Sequence, residues 1–252
     1  MNSNKQIKKI LVATFSFLTL ILWPVNLYLK NTLPNFVSYI IPAIFLLISY
    51  FAYSKNSRYW LTPVLLIGVY EPKLVILPVV FCFIEMIINY KKETLSFLII
   101  ALAIFVWQFG RWEGQIVFNK DYEGEQLLIR NIHLYPNVFT ARLFQNKPKL
   151  YLGKVTTNFF TLTDLNNYFF AGHPAPTTIP SQELYKYYWP LIIFLIIGIY
   201  YFYDINNKNF ILISIASCLL SLSLLKNFDR NDFILWFPIG LIIIHGIKKT
   251  LK

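Results

Sequence analysis

Residues 61–89 read LTPVLLIGVYEPKLVILPVVFCFIEMIIN and contain two apolar runs joined by Glu71, Pro72 and Lys73. The first run, residues 60–70, would rise only about 16 Å as a helix, whereas the hydrocarbon core of a bilayer is about 30 Å thick. Two arrangements fit this length. Either the short third segment forms a re-entrant hairpin with the fourth, residues 74–90, or the two merge into one segment.

Six further apolar blocks flank this pair, at residues 10–29, 36–53, 95–110, 188–203, 210–225 and 233–247. The chain is 56% hydrophobic and only 14% charged, which is too apolar for a soluble chain of 252 residues. The sequence therefore predicts an all-α polytopic membrane protein with about eight hydrophobic segments. Membrane lipid is its first expected partner.

The basic residues lie beside the apolar blocks, so the net charge of +11 does not predict nucleic-acid binding. A hairpin at 60–90 puts eleven of them on one side: Lys5, Lys8, Lys9, Lys55, Arg58, Lys91, Lys92, Lys208, Lys248, Lys249 and Lys252. The short loops on the other side hold four: Lys30, Lys73, Lys226 and Arg230. The positive-inside rule then predicts cytoplasmic termini and an extracytoplasmic insert, in a bacterial inner (plasma) membrane. Merging the pair would reverse the sidedness of everything that follows.

The blocks divide the chain into three parts. We expect an N-terminal membrane bundle at 1–111, a small, mainly helical extracytoplasmic domain at 112–187, and a C-terminal bundle at 188–252. Within the insert, residues 116–119 and 126–130 fit either a small strand pair or a loop. Residues 137–147 and 148–160 favour two helices, and the second is basic and amphipathic, which is typical of a helix lying in the membrane interface.

The stretch DLNNYFFAGHP, residues 164–174, is the most polar and aromatic part of the insert. One interpretation is a short helix capped by Asp164, because an Asp oxygen accepts from backbone N–H groups two or three residues on. The alternative places Asp164, Asn167 and His173 around a phosphate or a metal. One His and one Asp are too few ligands for zinc, so no metal and no cofactor is predicted.

Two carboxylates are candidates for chemistry, Glu71 and Asp164. Glu71 sits between two short apolar blocks, where a re-entrant turn would place it near the mouth of the bundle. The competing interpretation is a loop residue that pairs with Lys73. Glu85, inside the fourth block, is a second intramembrane candidate unless it bonds a neighbour such as Asn89.

The insert also carries a set of cations that the positive-inside rule does not explain. Arg binds a phosphate through two parallel hydrogen bonds and Lys as a point charge, so these residues are candidates to bind an anionic lipid headgroup. Salt bridges to Asp121, Glu123 and Glu125 are the equal alternative. The candidate substrate-binding residues are Arg130, His133, Arg142, Lys147, His173 and Arg230.

Motifs of soluble catalysis are missing from the sequence. It contains no Gly-rich phosphate loop, no HExxH and no GxSxG, so hydrolase and ATPase readings have no support. Cys82 and Cys218 both lie in apolar segments without CxxC spacing, which favours small buried side chains over a metal site.

Three stretches together resemble a known family. ARLFQNKPKLYLGKVTTNFF (141–160), DLNNYFF (164–170) and KNFDRNDFILWFP (226–238) resemble segments of bacterial membrane glycosyltransferases of the C-type superfamily, across about residues 136–245. The resemblance implies a polyprenyl-phosphate-linked sugar as substrate and a catalytic carboxylate in the first outer loop. That loop here, KNTLPN at 30–35, contains no acid.

The missing acid leaves the enzymatic status open. Either Glu71 or Asp164 is the base, with Arg142 and Arg230 at the leaving phosphate, or the chain is a shortened relative that binds without catalysing. We favour the second. The rival hypothesis is a non-enzymatic membrane scaffold or assembly factor of the cell envelope that docks a protein partner through residues 112–187.

Overall fold

The structure, a computed structural model, describes residues 2–30, 33–89, 92–119, 122–134, 137, 139, 146–170, 186–228 and 230–251. Its helices are α1 (Asn2–Leu29), α2 (Leu33–Ser54), α3 (Thr62–Tyr70), α4 (Ile76–Asn89), α5 (Lys92–Glu113), α6 (Tyr122–His133), α7 (Lys147–Thr163), α8 (Asn166–Phe169), α9 (Leu191–Tyr200), α10 (Lys208–Ser223) and α11 (Trp236–Thr250). Short 3-10 turns occupy Pro72–Leu74, Phe202–Asp204 and Asn231–Leu235.

Five helical segments are long and apolar enough to cross a membrane: Gln6–Leu29, Leu33–Ser54, Pro72–Asn89, Glu93–Glu113 and Asn231–Thr250. The helices α9 and α10 are apolar but shorter. The prediction of an all-α, multi-pass membrane protein is therefore confirmed at this level. That all eight segments cross the bilayer, and which way the chain is oriented, stay predictions.

The short third segment is helix α3, whose nine residues rise about 14 Å. It packs against α2, α4 and α5, and the 3-10 turn at Pro72–Leu74 leads directly into α4. The Gln108 side chain of α5 donates to the carbonyl of Val69 at 3.2 Å, which satisfies one of the backbone oxygens left open where α3 ends. Helix α3 is thus a short, partly buried helix packed among its neighbours, and its place in a re-entrant hairpin stays a prediction.

Helices α9 and α11 approach each other very closely. A Cβ added to Gly198 would overlap the carbonyl of Ile242, and one added to Gly246 would overlap the carbonyl of Phe194. Glycine removes the side chain that would otherwise separate the two backbones, which is a common way of packing helices in lipid. The C-terminal bundle is held together at this crossing.

Residues 126–130 belong to helix α6, so the expectation of a strand or a loop there was wrong. Five residues are too few to distinguish the two periods, and the helical pattern emerges only over the twelve residues of α6. Ile116 instead forms an isolated antiparallel bridge with Leu225, after α10. The helix expected at 137–147 lies mostly outside the described residues.

The second helix expected in the insert is confirmed as α7. Asn146 caps it, since its side-chain oxygen accepts from the Lys149 backbone N–H at 2.9 Å, and Pro148 lies in the first turn. Helix α7 packs against α10. We call the end of the bundle that carries residues 112–118, α7, α8 and residues 224–236 the insert face.

Candidate functional site

A buried ion pair lies at the insert face, between the Lys186 ammonium and the Asp232 carboxylate. Their side chains are only 5% and 6% exposed. The ammonium also lies 5.1 Å from the ring centre of Trp23 and 4.9 Å from that of Tyr168, distances at which a cation is attracted to an aromatic face. A charge taken out of water in this way requires such partners.

Aromatic side chains form the frame around this pair. The Trp23 ring meets those of Tyr168, Tyr187 and Phe233 nearly edge-on, with ring centres 5.9, 5.5 and 5.4 Å away. Such edge-to-face contacts stabilise beyond the apolar area that they bury. Residues from α1, α8 and the segments that precede α9 and α11 therefore meet in one cluster, which we call the Trp23 cluster.

Hydrogen bonds tie the Trp23 cluster to the backbone. The Tyr187 N–H donates to the carbonyl of Tyr168 at 2.9 Å, and the Tyr187 hydroxyl donates to the carbonyl of Trp236 at 2.6 Å. The Trp236 indole N–H in turn donates to the carbonyl of Leu20 at 3.1 Å. These bonds fix α8 and the segment before α9 onto α1 and α11.

The chemistry open to the Trp23 cluster is restricted by its burial. Burial raises the pKa of the Tyr168 hydroxyl well above its ordinary value, and the Asp232 charge raises it further. Burial likewise raises the pKa of Tyr187. Burial favours the neutral form of both phenols and leaves the ion pair almost inaccessible to solvent, so the arrangement favours a structural role in holding these segments together.

Lys186 and Asp232 were not among the predicted site residues. In the sequence they are 46 positions apart, and no local pattern links them. Each stood in a recognisable neighbourhood, Lys186 within the aromatic run YKYYW and Asp232 two residues after Arg230. The sequence signal that could have identified Lys186 is its place among aromatic residues directly before the apolar block 188–203.

Glu71 lies in the turn between α3 and α4. Its carboxylate accepts from the Lys73 backbone N–H at a long 3.4 Å, so it caps the 3-10 turn. Burial raises the pKa of Glu71, and the backbone N–H and the charge of Lys73 oppose that rise. Glu71 thus contacts the backbone N–H of Lys73, whereas a salt bridge between the two side chains stays a prediction.

Asp164 lies in the turn between α7 and α8. Its carboxylate accepts from the Asn166 backbone N–H at 2.9 Å, as expected for the capped helix read from the sequence. The turn of Asp164 joins α7 to α8 and that of Glu71 joins α3 to α4, so each carboxylate bonds to the backbone of its own connection.

Glu85 is buried in α4, and its carboxylate accepts from the Asn89 side chain at 2.7 Å. This is the hydrogen bond to a neighbour that was the alternative to an intramembrane site. Three serines one or two turns apart on α10, Ser214, Ser217 and Ser221, are likewise all buried in the bundle.

The predicted substrate-binding cations fall into separate places. Lys147 pairs with Glu125 at 2.8 Å, the salt bridge that was the alternative to phosphate binding, and Glu125 raises the pKa of Lys147. Arg130 and His133 are exposed in the last turn of α6. Arg142 and His173 lie outside the described residues.

Arg230 occupies an unusual backbone position. It adopts a left-handed conformation with φ 58°, directly before the 3-10 turn that carries Asp232. This conformation costs a non-glycine residue free energy and persists where the surroundings determine it. One guanidinium nitrogen lies 3.5 Å from the carbonyl of Lys30, so the side chain reaches the connection between α1 and α2.

Lys154 and Lys226, which were not among the predicted site residues, lie near the contact of α7 with α10. The Asn158 amide donates to the carbonyls of Ser223 at 3.2 Å and Leu225 at 2.7 Å, which fixes α7 at the end of α10. Lys154 lies one helical turn before Asn158, and Lys226 follows Leu225 directly. Burial lowers the pKa of Lys154, and the nearby charge of Lys226 lowers it further.

A cavity of about 210 Å³ lies at the opposite end of the bundle, between the end of α2 and the start of α5. Its walls include Tyr53, Trp60 and Phe97. Arg58 and Glu93, 3.5 Å apart, stand at this cavity with exposed side chains. It does not connect to the cations of the insert face.

Among the described residues, no group of three or more His, Cys, Asp or Glu side chains could hold a metal ion. Comparison of the chain with family models, curated proteins and solved structures found no match.

Proposed function

We propose that this protein is a multi-pass protein of the bacterial inner membrane that binds the phosphate of a polyprenyl-phosphate-linked lipid at an extracytoplasmic insert face, without catalysing transfer. One observation carries the proposal: the charge of Lys226, which follows α10, acts on Lys154 of α7, close to where Asn158 bonds α7 to the end of α10. A phosphate within reach of both ammonium groups would gain charge-assisted hydrogen bonds from each of them.

Arg230 belongs to the same site in this proposal. It follows Lys226 by four residues, in a connection whose Phe228 is buried against the bundle. A guanidinium is suited to a phosphate because it presents two parallel N–H donors. The resemblance of this connection to the corresponding segment of C-type glycosyltransferases supports the same choice of ligand.

The carboxylates support binding without catalysis. Glu71 and Asp164 each accept a hydrogen bond from the backbone of their own turn, one between α3 and α4 and the other between α7 and α8. A general base has to lie within hydrogen-bond reach of the hydroxyl that it deprotonates, beside the leaving phosphate. The local backbone bonds of both carboxylates support a structural role instead.

Native mass spectrometry of the full chain, released from nanodiscs that contain a polyprenyl phosphate, tests the proposal. We expect the parent protein to retain the lipid. The Lys154→Ala, Lys226→Ala double variant should bind it at least about tenfold more weakly, since one charge-assisted hydrogen bond contributes about 1.5–3 kcal/mol. Arg230→Ala should also reduce retention. Lys248→Ala, at the opposite end of the chain's last helix, is the matched control and should retain lipid as the parent does. Retention that is indifferent to the double variant overturns the proposal.

A second candidate function is a non-enzymatic scaffold that docks a protein partner through the insert. Large exposed apolar side chains in the insert favour it, among them Tyr122 and Phe139, which are 76% and 72% exposed. A photo-crosslinking residue at Tyr122 should then capture one defined partner in cells. The same residue at Tyr203, 81% exposed near the opposite end of the bundle, is the control.

A further inference from the structure

Helix α7 exposes an apolar arc on the side that does not pack on α10. Leu152, Phe159 and Phe160 lie on this arc with exposed fractions of 64%, 36% and 68%. The packed side carries Asn158, bonded to the end of α10, and the buried Leu162. Large apolar side chains in such numbers on one helix indicate a surface that is not meant for water.

Threonine hydroxyls on α7 bond back to their own helix. Thr156 donates to the carbonyl of Leu152 at 2.9 Å, and Thr163 donates to that of Phe159 at 3.0 Å. A hydroxyl bonded to the carbonyl four residues earlier has a partner without water. This arrangement allows the exposed arc to enter a medium that cannot supply hydrogen bonds.

The position of α7 points to the same medium. It packs on α10, an apolar helix whose Leu212 and Leu220 are 52% and 46% exposed. Because Asn158 bonds to the last residues of α10, α7 lies where this apolar surface ends. Lys154 lies on the side of the helix away from Leu152 and Phe159, next to Lys226.

We propose that α7 is an interfacial helix that lies on the bilayer in which the protein itself is embedded, with Leu152 and Phe159 inserted below the headgroups of the leaflet on the insert side and Phe160 at the edge of the inserted arc. The partner is the lipid surface. The occupant is lipid because α7 packs on α10, an apolar helix that itself exposes Leu212 and Leu220, and because Lys154 lies on the polar side of α7, as is typical of interfacial helices. This inference does not depend on the proposed function.

Site-directed spin labelling of the full chain in phosphatidylcholine–phosphatidylglycerol nanodiscs tests the inference. Leu152→Cys and Phe159→Cys place labels on the arc. Thr157→Cys is the matched control, because residues 157 and 159 point about 160° apart on a helix. The unsubstituted protein gives the background of Cys82 and Cys218, both buried.

We expect labels at 152 and 159 to collide severalfold more with oxygen, which concentrates in lipid, than with a water-soluble nickel complex, and the label at 157 to show the reverse. Equal nickel access at 159 and 157 overturns the inference, because α7 would then stand in water. Labels at 152 and 159 that are shielded from both reagents also overturn it, since protein would cover the arc. If one variant fails to fold, Thr163→Cys replaces it, because exposed residue 163 points within about 40° of residues 152 and 159 on the helix.

Discussion

The Lys186 ammonium and the Asp232 carboxylate pair in the interior of the insert face, where neither side chain is more than 6% exposed. The pair joins the segment that precedes α9 to the turn that precedes α11. Separating a buried pair leaves an uncompensated charge, so an arrangement that buries only one of the two groups is strongly disfavoured. The pair therefore favours the observed position of these two segments.

The substitution Asp232→Asn should destabilise the protein strongly. It leaves the Lys186 ammonium buried without its counter-charge, which costs about 3–5 kcal/mol when a buried ion pair is broken. We expect a large fall in the melting temperature of the detergent-solubilised protein, measured by tryptophan fluorescence. The double variant Lys186→Met, Asp232→Asn should recover part of the loss, because it removes the stranded charge.

The ion pair of Lys249 and Asp204 is the matched control for this prediction. Its side chains are 24% and 53% exposed, so water solvates the charges whether or not they pair. Asp204→Asn should therefore leave the melting temperature almost unchanged. Equal effects of Asp232→Asn and Asp204→Asn would contradict the assignment of Lys186 and Asp232 as a buried, structure-selecting pair.

Glu71 should make the stability depend on pH. Burial raises its pKa in the folded state above the unfolded value. Its contribution is therefore fully present below the unfolded pKa and is lost as the pH rises through the folded pKa. We expect Glu71→Gln to melt higher than the parent above that window, with the difference closing toward about pH 4. A constant difference across the pH range would contradict this.

Much of the membrane fold could be predicted from composition and length. Apolar blocks report burial or lipid exposure directly, and helix starts carry local signals, as Asn146 and Pro148 do for α7. The prediction for residues 126–130 was wrong because five residues do not distinguish a strand from part of a helix. Local signals thus predicted helix ends better than they predicted short elements in the insert.

The candidate site was less predictable, because contacts between distant positions make it. Asp164 was predicted as a cap correctly, since its partner lies two residues away. Lys186 and Asp232 lie 46 positions apart, and Lys154 and Lys226 meet only because Asn158 bonds to the end of α10. Periodicity and capping rules contain no information about such pairings.

Asn158 should hold α7 on α10. Asn158→Ala removes the donor to the carbonyls of Ser223 and Leu225 and should cost about 1–3 kcal/mol, because those carbonyls lose a hydrogen bond in a partly buried place. The melting temperature measures this loss. Thr157→Ala, the exposed neighbour, should stay within about 0.5 kcal/mol of the parent. If both substitutions are neutral, the α7–α10 junction is not held by this amide.

The glycines at the α9–α11 crossing should tolerate no side chain. A methyl group at Gly198 or Gly246 would overlap a backbone carbonyl of the facing helix, and a backbone cannot move aside as a flexible side chain does. We expect Gly198→Ala and Gly246→Ala each to cost about 1–3 kcal/mol or more, as overpacking does. The check is the melting temperature together with the size-exclusion profile in detergent.

The chain supplies matched controls for this crossing in Gly110 and Gly153. Nothing lies within 4 Å of a Cβ added at either position, and both residues are inside helices, α5 and α7. Alanine there should stabilise the protein by about 0.5–1 kcal/mol, since glycine loses more conformational freedom on folding. If alanine lowers the stability at Gly198 and Gly246 but raises it at Gly110 and Gly153, the losses come from the close contact between α9 and α11. Losses at all four would mean that glycine is required for its backbone freedom and not for the crossing.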